Sequence, residues 1–244
     1  MSLSKNNIKL ITSLQQKKYR QKHQLFVAEG VKVVNELLKS NLEASHIFSV
    51  DESFNLPDDI DFTIISENEL KKISTLKNPN KVLGLFKIPE EKEINETKFV
   101  IALDEINDPG NLGTIIRLCD WFGVTELICS KNTVNCYNQK VVQSTMGSLT
   151  RVNISYVDLP EFLLKSTLPV YTADMHGENV YKASLPEKAI LVMGNEANGI
   201  SEQISAIIKN KLTIPRFGET QQTESLNVAT ATAILLSEFK RGLK

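Results

Sequence analysis

Residues 99–111 read FVIALDEINDPGN, and this stretch decides the fold. Its first five residues are continuously apolar, which is typical of a strand buried on both faces of a parallel sheet. Asp108-Pro109-Gly110 is a strong turn sequence, so the strand ends and the chain reverses. Asn111 can cap a following helix. Apolar residues then recur at helical spacing: Ile115, Ile116, Leu118 and Trp121.

The alternation of strand and helix continues towards the C terminus. Short apolar runs predict strands at 127–129, 152–156, 170–172, 189–193 and 212–214, and a long helix at 226–239. Alternation of this kind favours an α/β domain over residues 99–244, with a mainly parallel sheet and helices on both faces.

Residues 1–90 predict a second, smaller α/β unit. Ser4 can cap a first helix, and Ser66 with Glu69 has the capping-box spacing. Residues 91–98 are polar and highly charged, which is typical of a linker. We therefore expect a domain at 1–90, a linker at 91–98 and a domain at 99–244.

The composition excludes several classes of protein. No apolar run approaches the roughly 18 residues of a membrane span, and the N terminus lacks the pattern of a signal peptide. We therefore expect a soluble, cytoplasmic protein. The three cysteines and three histidines are scattered and match no zinc or redox motif, so we expect reduced structural thiols and no metal.

The charge is unevenly distributed. Residues 1–28 contain six basic side chains and no acid, so the net charge of −1 divides into +6 there and −7 over the other 216 residues. Four of these cations lie close together: Lys17, Lys18, Arg20 and Lys22. From charge alone, this cluster is either a phosphate-binding surface or the solvated face of a helix.

Three predicted strands end in unusual polar segments, and in open α/β sheets ligands bind beyond the carboxyl ends of the strands. The first segment runs from Leu103 to Arg117 and contains Asn111. The second, residues 194–199, reads GNEANG. The third begins at Ile214-Pro215 and resumes as Ser-Leu-Asn-Val at 225–228. Each segment alone is also compatible with an ordinary turn followed by a helix.

In this order, the three segments resemble the signature motifs of the SpoU (TrmH) family of RNA ribose 2′-O-methyltransferases. Residues 1–90 more loosely resemble the substrate-binding domain that many members carry, and FVAEGV at 26–31 is typical of it. The resemblance implies the SPOUT fold with a C-terminal trefoil knot, S-adenosylmethionine as cofactor, RNA as substrate and a homodimer. Ribosomal RNA is favoured over transfer RNA by analogy.

The resemblance also implies site residues. The implied catalytic residues are Arg117, Asn111, Glu196, Ser225 and Asn227. The implied cofactor contacts are Met193, Gly194, Asn195, Glu196, Ile214, Pro215, Phe217, Ser225, Leu226 and Val228. With an RNA enzyme implied, we interpret Lys17, Lys18, Arg20 and Lys22 as RNA contacts.

Several alternatives stay open at this point. The resemblance implies Arg117 as the central catalytic residue, which either orients and polarises the hydroxyl or acts as a base assisted by an RNA phosphate, while Glu196 is chemically the easier base. Asn111, Glu196 and Asn227 are alternatively structural residues of the knot. Transfer RNA ribose, an RNA base, or RNA binding without catalysis are alternative functions. A dehydrogenase is disfavoured because the chain has no GxGxxG fingerprint.

Overall fold

The computed structural model describes residues 3–54, 56–57, 60–195, 197–218 and 225–241. The chain forms two compact units. The first consists of Met1–Glu90 with Asn135–Thr150, and the second of Glu91–Val134 with Arg151–Lys244. Within the described ranges, no helix is long and apolar enough to cross a bilayer.

The secondary structure alternates as predicted over most of the chain. In chain order the elements are α1 (Lys5–Ser13), α2 (Lys17–His23), β1 (Leu25–Glu29), α3 (Val31–Leu38), β2 (Ala44–Ser49), β3 (Phe62–Ile64), α4 (Glu67–Ile73), β4 (Val82–Lys87), β5 (Val100–Leu103), α5 (Pro109–Trp121), β6 (Glu126–Ser130), α6 (Gln139–Thr145), a 3-10 helix (Ser148–Thr150), β7 (Asn153–Val157), α7 (Leu159–Lys165), β8 (Val170–Asn179), β9 (Ile190–Met193), α8 (Glu202–Ser205), β10 (Asn210–Thr213) and α9 (Val228–Lys240).

The first unit is built on a four-stranded mixed sheet in the order β1-β4-β2-β3, with only the β2–β3 pair parallel. Both predicted helix caps are confirmed. The Ser4 hydroxyl accepts from the backbone N–H of Asn7, and Ser66 and Glu69 form a reciprocal capping box. The backbone N–H of Leu3 also donates to the Glu69 carboxylate at 2.8 Å, which ties the start of the chain to α4.

The segment 135–150 packs with the first unit although it lies between β6 and β7 in sequence. The Tyr137 ring lies 4.9 Å from that of Phe26. The Gln139 amide donates to the buried carboxylate of Glu29, which also accepts from the backbone N–H of Thr75 at 3.0 Å. The domain boundaries 1–90, 91–98 and 99–244 stay a prediction. The structure adds that the segment 135–150 packs with the first unit.

The second unit contains a six-stranded sheet in the order β10-β8-β9-β5-β6-β7, and every pair is parallel. All residues of β5 and β9 are buried, whereas the edge strand β7 is half-buried throughout. Continuous apolar runs therefore mark the centre of the sheet, as expected for strands covered on both faces. The predicted α/β fold with a mainly parallel sheet is confirmed.

The sheet has a topological switch point between β5 and β9. From β5 the chain continues to β6 and β7 on one side, and β8, β9 and β10 lie on the other side. In open α/β sheets a crevice forms where the chain leaves neighbouring strands in opposite directions, and ligands bind there. This places the candidate site at the carboxyl ends of β5 and β9.

Two side chains of α5 differ in their environment. Cys119 is fully buried, and burial together with the nearby Asp120 carboxylate raises the pKa of its thiol to about 12. All three cysteines are buried, and none forms a disulfide. Trp121, which the sequence pattern grouped with the apolar residues Ile115, Ile116 and Leu118, is 84% exposed.

Candidate functional site

The carboxyl ends of β5 and β9 are joined by hydrogen bonds. The backbone N–H of Asp104 donates to the Met193 carbonyl at 2.9 Å. The Asn195 amide donates to the Glu105 carbonyl at 2.8 Å. The buried Asp104 carboxylate accepts from the backbone N–H of Ser201 at 2.8 Å. The first and second sequence segments therefore lie at one place.

The loop after β9 closes on itself. Asn195 and Gly199 exchange two backbone hydrogen bonds, at 2.9 and 2.8 Å. The Asn195 side-chain oxygen also accepts from the backbone N–H of Ala197 at 2.8 Å. A Cβ at Gly194 would lie 2.4 Å from the Gly199 carbonyl carbon, so Gly194 is required for a close backbone approach. Glu196 lies outside the described residues.

Glu105 holds a strained backbone at the end of β5. Its φ is +56°, in the left-handed region that non-glycine residues seldom adopt. Three contacts fix it: its N–H donates to Ser130 Oγ at 2.9 Å, its carboxylate accepts from the Asn132 amide at 2.7 Å, and its carbonyl accepts from Asn195. Strain of this kind costs about 1–3 kcal/mol and is often found at functional sites.

Sequence reasoning did not single out Asp104 or Glu105. An acidic pair directly after a buried strand is visible in the sequence, but its contacts come from loops 25 to 97 residues away. The pair anchors loops of the site.

An amide–amide hydrogen bond joins the first and third segments. The Asn227 side-chain nitrogen donates to the Asn111 side-chain oxygen at 2.9 Å. Asn227 Oδ1 also caps α9 by accepting from the backbone N–H of Ala229 at 3.0 Å. The prediction that Asn111 caps its own helix is wrong: Asp108 caps α5 and accepts from the Asn111 backbone N–H at 2.8 Å. The Asn111 side chain therefore bonds to Asn227 instead.

Arg117 lies apart from this amide pair. It is six residues after Asn111, which is about 9 Å along a helix axis. Its side chain is exposed and forms no hydrogen bond or ion pair with any residue in the described ranges. The structure thus brings Asn111 and Asn227 together and leaves the Arg117 guanidinium facing solvent.

The end of β9 and the third segment supply a partly apolar wall. Met193 and Val228 are buried, while Ile214 and Pro215 are half-buried. Among the described residues, the backbone groups of Gly194 and Ile214 have no backbone hydrogen-bond partner. Apolar walls with a few free backbone donors and acceptors are typical of small-molecule sites.

Three predicted contact residues of the third segment are strongly exposed. Ser225 is exposed, Leu226 is 47% exposed and Phe217 is 84% exposed. Exposure leaves these side chains accessible to a ligand without assigning them one. In the part of the chain that the structure describes, no three His, Cys, Asp or Glu side chains are grouped to hold a metal, and the absence of a metal stays a prediction.

The basic cluster of the first unit divides into two kinds of residue. The exposed cations lie along α2: Lys17, Lys18 and Lys22. Arg20 is only 3% exposed and donates to the carbonyls of Leu14 and Gln15 and to Asn135 Oδ1, at 2.9 to 3.3 Å. The structure therefore gives Arg20 a structural role in place of the predicted RNA contact, because it faces inward on α2.

A separate cavity of about 400 Å³ lies between β8 and β10. Its lining includes Tyr171, His176 and Lys209 but none of the predicted site residues. We place the candidate site at the switch point because hydrogen bonds unite the three sequence segments there.

Comparison with known proteins gives concordant matches over nearly the whole chain. The profile of the SpoU rRNA Methylase family matches residues 98–237, and that of the MRM3-like substrate binding domain matches residues 5–84. The chain is 32% identical over 247 residues to the 23S rRNA (guanosine(2553)-2′-O)-methyltransferase RlmP of Bacillus subtilis (strain 168), covering 98% of each chain.

Solved structures agree with these matches. A TrmH-family protein from Porphyromonas gingivalis superposes with a TM-score of 0.88 at 38% identity and 98% coverage of both chains. An AdoMet-bound rRNA methyltransferase from Sinorhizobium meliloti gives a TM-score of 0.85 at 27% identity, covering 100% of this chain and 98% of that one.

Two glycines near the site provide a matched test of the geometry. We expect Gly194→Ala to destabilise the protein by about 1–3 kcal/mol, since the added methyl group overlaps the Gly199 backbone. The methyl group of Gly218→Ala meets no atom of the described residues within 4 Å and should change stability by less than about 0.5 kcal/mol. Urea unfolding followed by circular dichroism measures both. Equal midpoints for the two variants would contradict the close approach.

Proposed function

The chain belongs to the SpoU rRNA methylase family, and on this premise we propose that it transfers a methyl group from S-adenosylmethionine to a ribose 2′-hydroxyl of ribosomal RNA. The observation that carries the proposal is the Asn227–Asn111 hydrogen bond of 2.9 Å, which joins the third segment to the first beside the switch point. The ribosomal RNA named for the Bacillus relative supports the substrate class.

The residues at the switch point fit the cofactor. S-adenosylmethionine supplies a methyl group already activated on a sulfonium centre. Gly194 lets the loop backbone lie directly against Gly199, and among the described residues the backbone groups of Gly194 and Ile214 have no backbone hydrogen-bond partner, which leaves them available to a ligand. The proposed cofactor contacts are Met193, Gly194, Asn195, Ile214, Pro215, Ser225, Leu226 and Val228, with Glu196 outside the described residues.

Because the methyl donor is activated, the chain mainly has to align the attacking hydroxyl. We assign Arg117 this orienting role, since guanidinium groups hold their proton to beyond about pH 12 and are poor bases. The Asn111–Asn227 pair positions the nucleotide, and Ser225 is an exposed donor at the mouth of the site. Glu196 is the proposed proton acceptor.

The proposal includes a trefoil knot. The chain forms β10 at the edge of the sheet and then continues into α9. This helix packs against α5, the helix that follows the central strand β5 in the chain. A return from the edge to the centre supports a threaded C terminus, which chains otherwise avoid. A cytoplasmic location also remains part of the proposal.

The proposal also includes a homodimer. Thr114, Arg117 and Trp121 are exposed along one face of α5, at spacings that place them in line. An exposed tryptophan is unusual on a monomer and common at interfaces. A second copy covering this face would bury Trp121 and bring Arg117 to its neighbour's site.

We expect Arg117→Ala to lower methyl transfer about 100-fold or more, because the hydroxyl loses its orienting group. Cofactor affinity should stay within about twofold, since Arg117 is not placed in the cofactor wall. Radiolabelled methyl incorporation into unmodified ribosomal RNA transcripts and calorimetric titration with S-adenosylmethionine measure the two effects. Arg241→Ala, an exposed arginine of the same unit, is the control. Retained transfer in Arg117→Ala would remove the catalytic assignment.

The exposed lysines of α2 can be tested together. We expect Lys17→Ala, Lys18→Ala and Lys22→Ala combined to weaken binding to the same transcripts and to reduce the log–log salt slope by about 2, at about 0.7 per lost single-strand phosphate contact. Filter binding from 50 to 300 mM KCl measures the slope.

Point substitutions test the role of these lysines more specifically than a truncation of the N terminus would. Removing residues 1–22 would also remove Leu3, Ile11 and Leu14 from the core of the first unit. Lys71→Ala with Lys72→Ala, on exposed positions of α4, is the charge control. If the control lost as much RNA affinity per substituted lysine, the result would contradict an RNA contact localised on α2.

Trp121 is the only tryptophan in the chain and reports on the proposed dimer. We expect Trp121→Ala to weaken self-association about 30-fold or more, as for a central aromatic interface residue. Sedimentation of both proteins across a dilution series measures this, and a red shift of wild-type emission on dilution should accompany dissociation. Leu164→Ala, 69% exposed on α7, is the control. Unchanged self-association in Trp121→Ala would place the interface elsewhere.

A further inference from the structure

The strand β8 contains an excursion that none of the motifs accounts for. Thr172 pairs with Lys211 of β10, yet the next residue of β10, Leu212, pairs with Glu178. Residues 173–177 therefore leave the ladder between two paired positions. The pairs that flank them keep the two strands parallel.

The excursion is held firmly in place. The Lys211 ammonium donates to the Asp174 carboxylate at 2.8 Å, and the backbone N–H of His176 donates to the same carboxylate at 2.9 Å. These bonds hold the pKa of the Asp174 carboxyl below its ordinary value. A Cβ at Gly177 would lie 2.5 Å from the Lys211 carbonyl carbon, so the backbones touch.

The excursion brings Met175 against the third segment. Thr213 Oγ1 donates to the Met175 carbonyl at 3.3 Å, and the Arg216 guanidinium lies 2.7 Å from the Met175 sulfur. Met175 is 60% exposed, and Phe217, which follows Arg216, is 84% exposed. We call Met175, Arg216 and Phe217 the edge platform.

The edge platform adjoins the proposed cofactor wall. Ile214 and Pro215, which belong to that wall, connect β10 directly to Arg216 and Phe217 in the chain. A polarisable thioether, a guanidinium and an aromatic ring each pack well against the flat face of a π system. Exposed aromatic rings and guanidinium planes are groups on which unpaired bases stack.

We propose that the edge platform stacks the base of the nucleotide whose ribose is methylated, with Phe217 as the main contact. This rests on the proposed function, in which the ribose oxygen reacts about 3–3.5 Å from the methyl carbon. The base attached to that ribose then lies just outside the cofactor cleft. A base that stacks on protein is unpaired, so the substrate class is a nucleotide in a loop, bulge or end of the RNA.

This assignment differs from the predicted cofactor contact for Phe217. Small-molecule sites bury about 70–90% of their ligand's surface. A side chain that is 84% exposed beside the wall is better placed to meet a macromolecule from solvent. The two roles make opposite predictions for cofactor affinity.

The test compares Phe217→Ala with Phe217→Trp, using unmodified ribosomal RNA transcripts and S-adenosylmethionine as probes. We expect Phe217→Ala to lower kcat/KM for RNA about 5- to 150-fold, which corresponds to about 1–3 kcal/mol per stacked base. Phe217→Trp should stay within about threefold of wild type, since it keeps a stacking face. The cofactor dissociation constant, measured by calorimetry without RNA, should stay within about twofold for both variants.

A second substitution tests the platform away from the cofactor wall. Met175→Ala should also lower kcat/KM for RNA and leave cofactor affinity unchanged. Leu164→Ala changes an exposed apolar residue on α7 and should change neither quantity. A matching loss of cofactor affinity in Phe217→Ala would overturn the proposal and make Phe217 a cofactor contact. Wild-type kinetics in Phe217→Ala would overturn it as well. If the wild-type chain itself transfers no methyl group to RNA, the proposed function fails, and this outcome is distinct from both.

Discussion

The parallel pairing of β5 with β9 is the constraint on which the second unit depends. Every residue of these two strands is buried, and the chain leaves them in opposite directions. Their carboxyl ends therefore open a crevice that the surrounding loops must line. Because both faces of these strands are buried, the register between β5 and β9 is strongly fixed. Asp104 and Asn195, which follow the two strands, are therefore held where their side chains form hydrogen bonds with the neighbouring loops.

The parts of the fold that local sequence determines were predictable. Continuous apolar runs identified β5 and β9, and the spacing of Ser66 and Glu69 identified the start of α4. The order of the three motifs also predicts where the candidate site lies, since each follows a strand. These features depend on neighbours within a few residues, which a single sequence displays.

Most of the features that escaped prediction depend on distant residues. Arg20 is buried because Asn135, 115 residues away, accepts its donors. Segment 135–150 packs with the first unit through partners such as Glu29, 110 residues from Gln139. Asn111 was expected to cap its helix, but Asp108 takes that role and Asn227 takes the Asn111 side chain. A charged or amide side chain in a sequence does not reveal whether its face of the helix is covered by another part of the chain.

Burial separates two kinds of residue in this site. Groups that shape the crevice, such as Asp104 and Asn195, are buried or half-buried and form hydrogen bonds within the chain. Groups proposed to act on RNA, such as Arg117 and Phe217, are exposed. A substrate as large as ribosomal RNA approaches from solvent and cannot enter a closed pocket, so its contacts must be exposed in the free chain. For such an enzyme, exposed aromatic and basic side chains beside a buried frame are a better guide to function than the volume of a cavity.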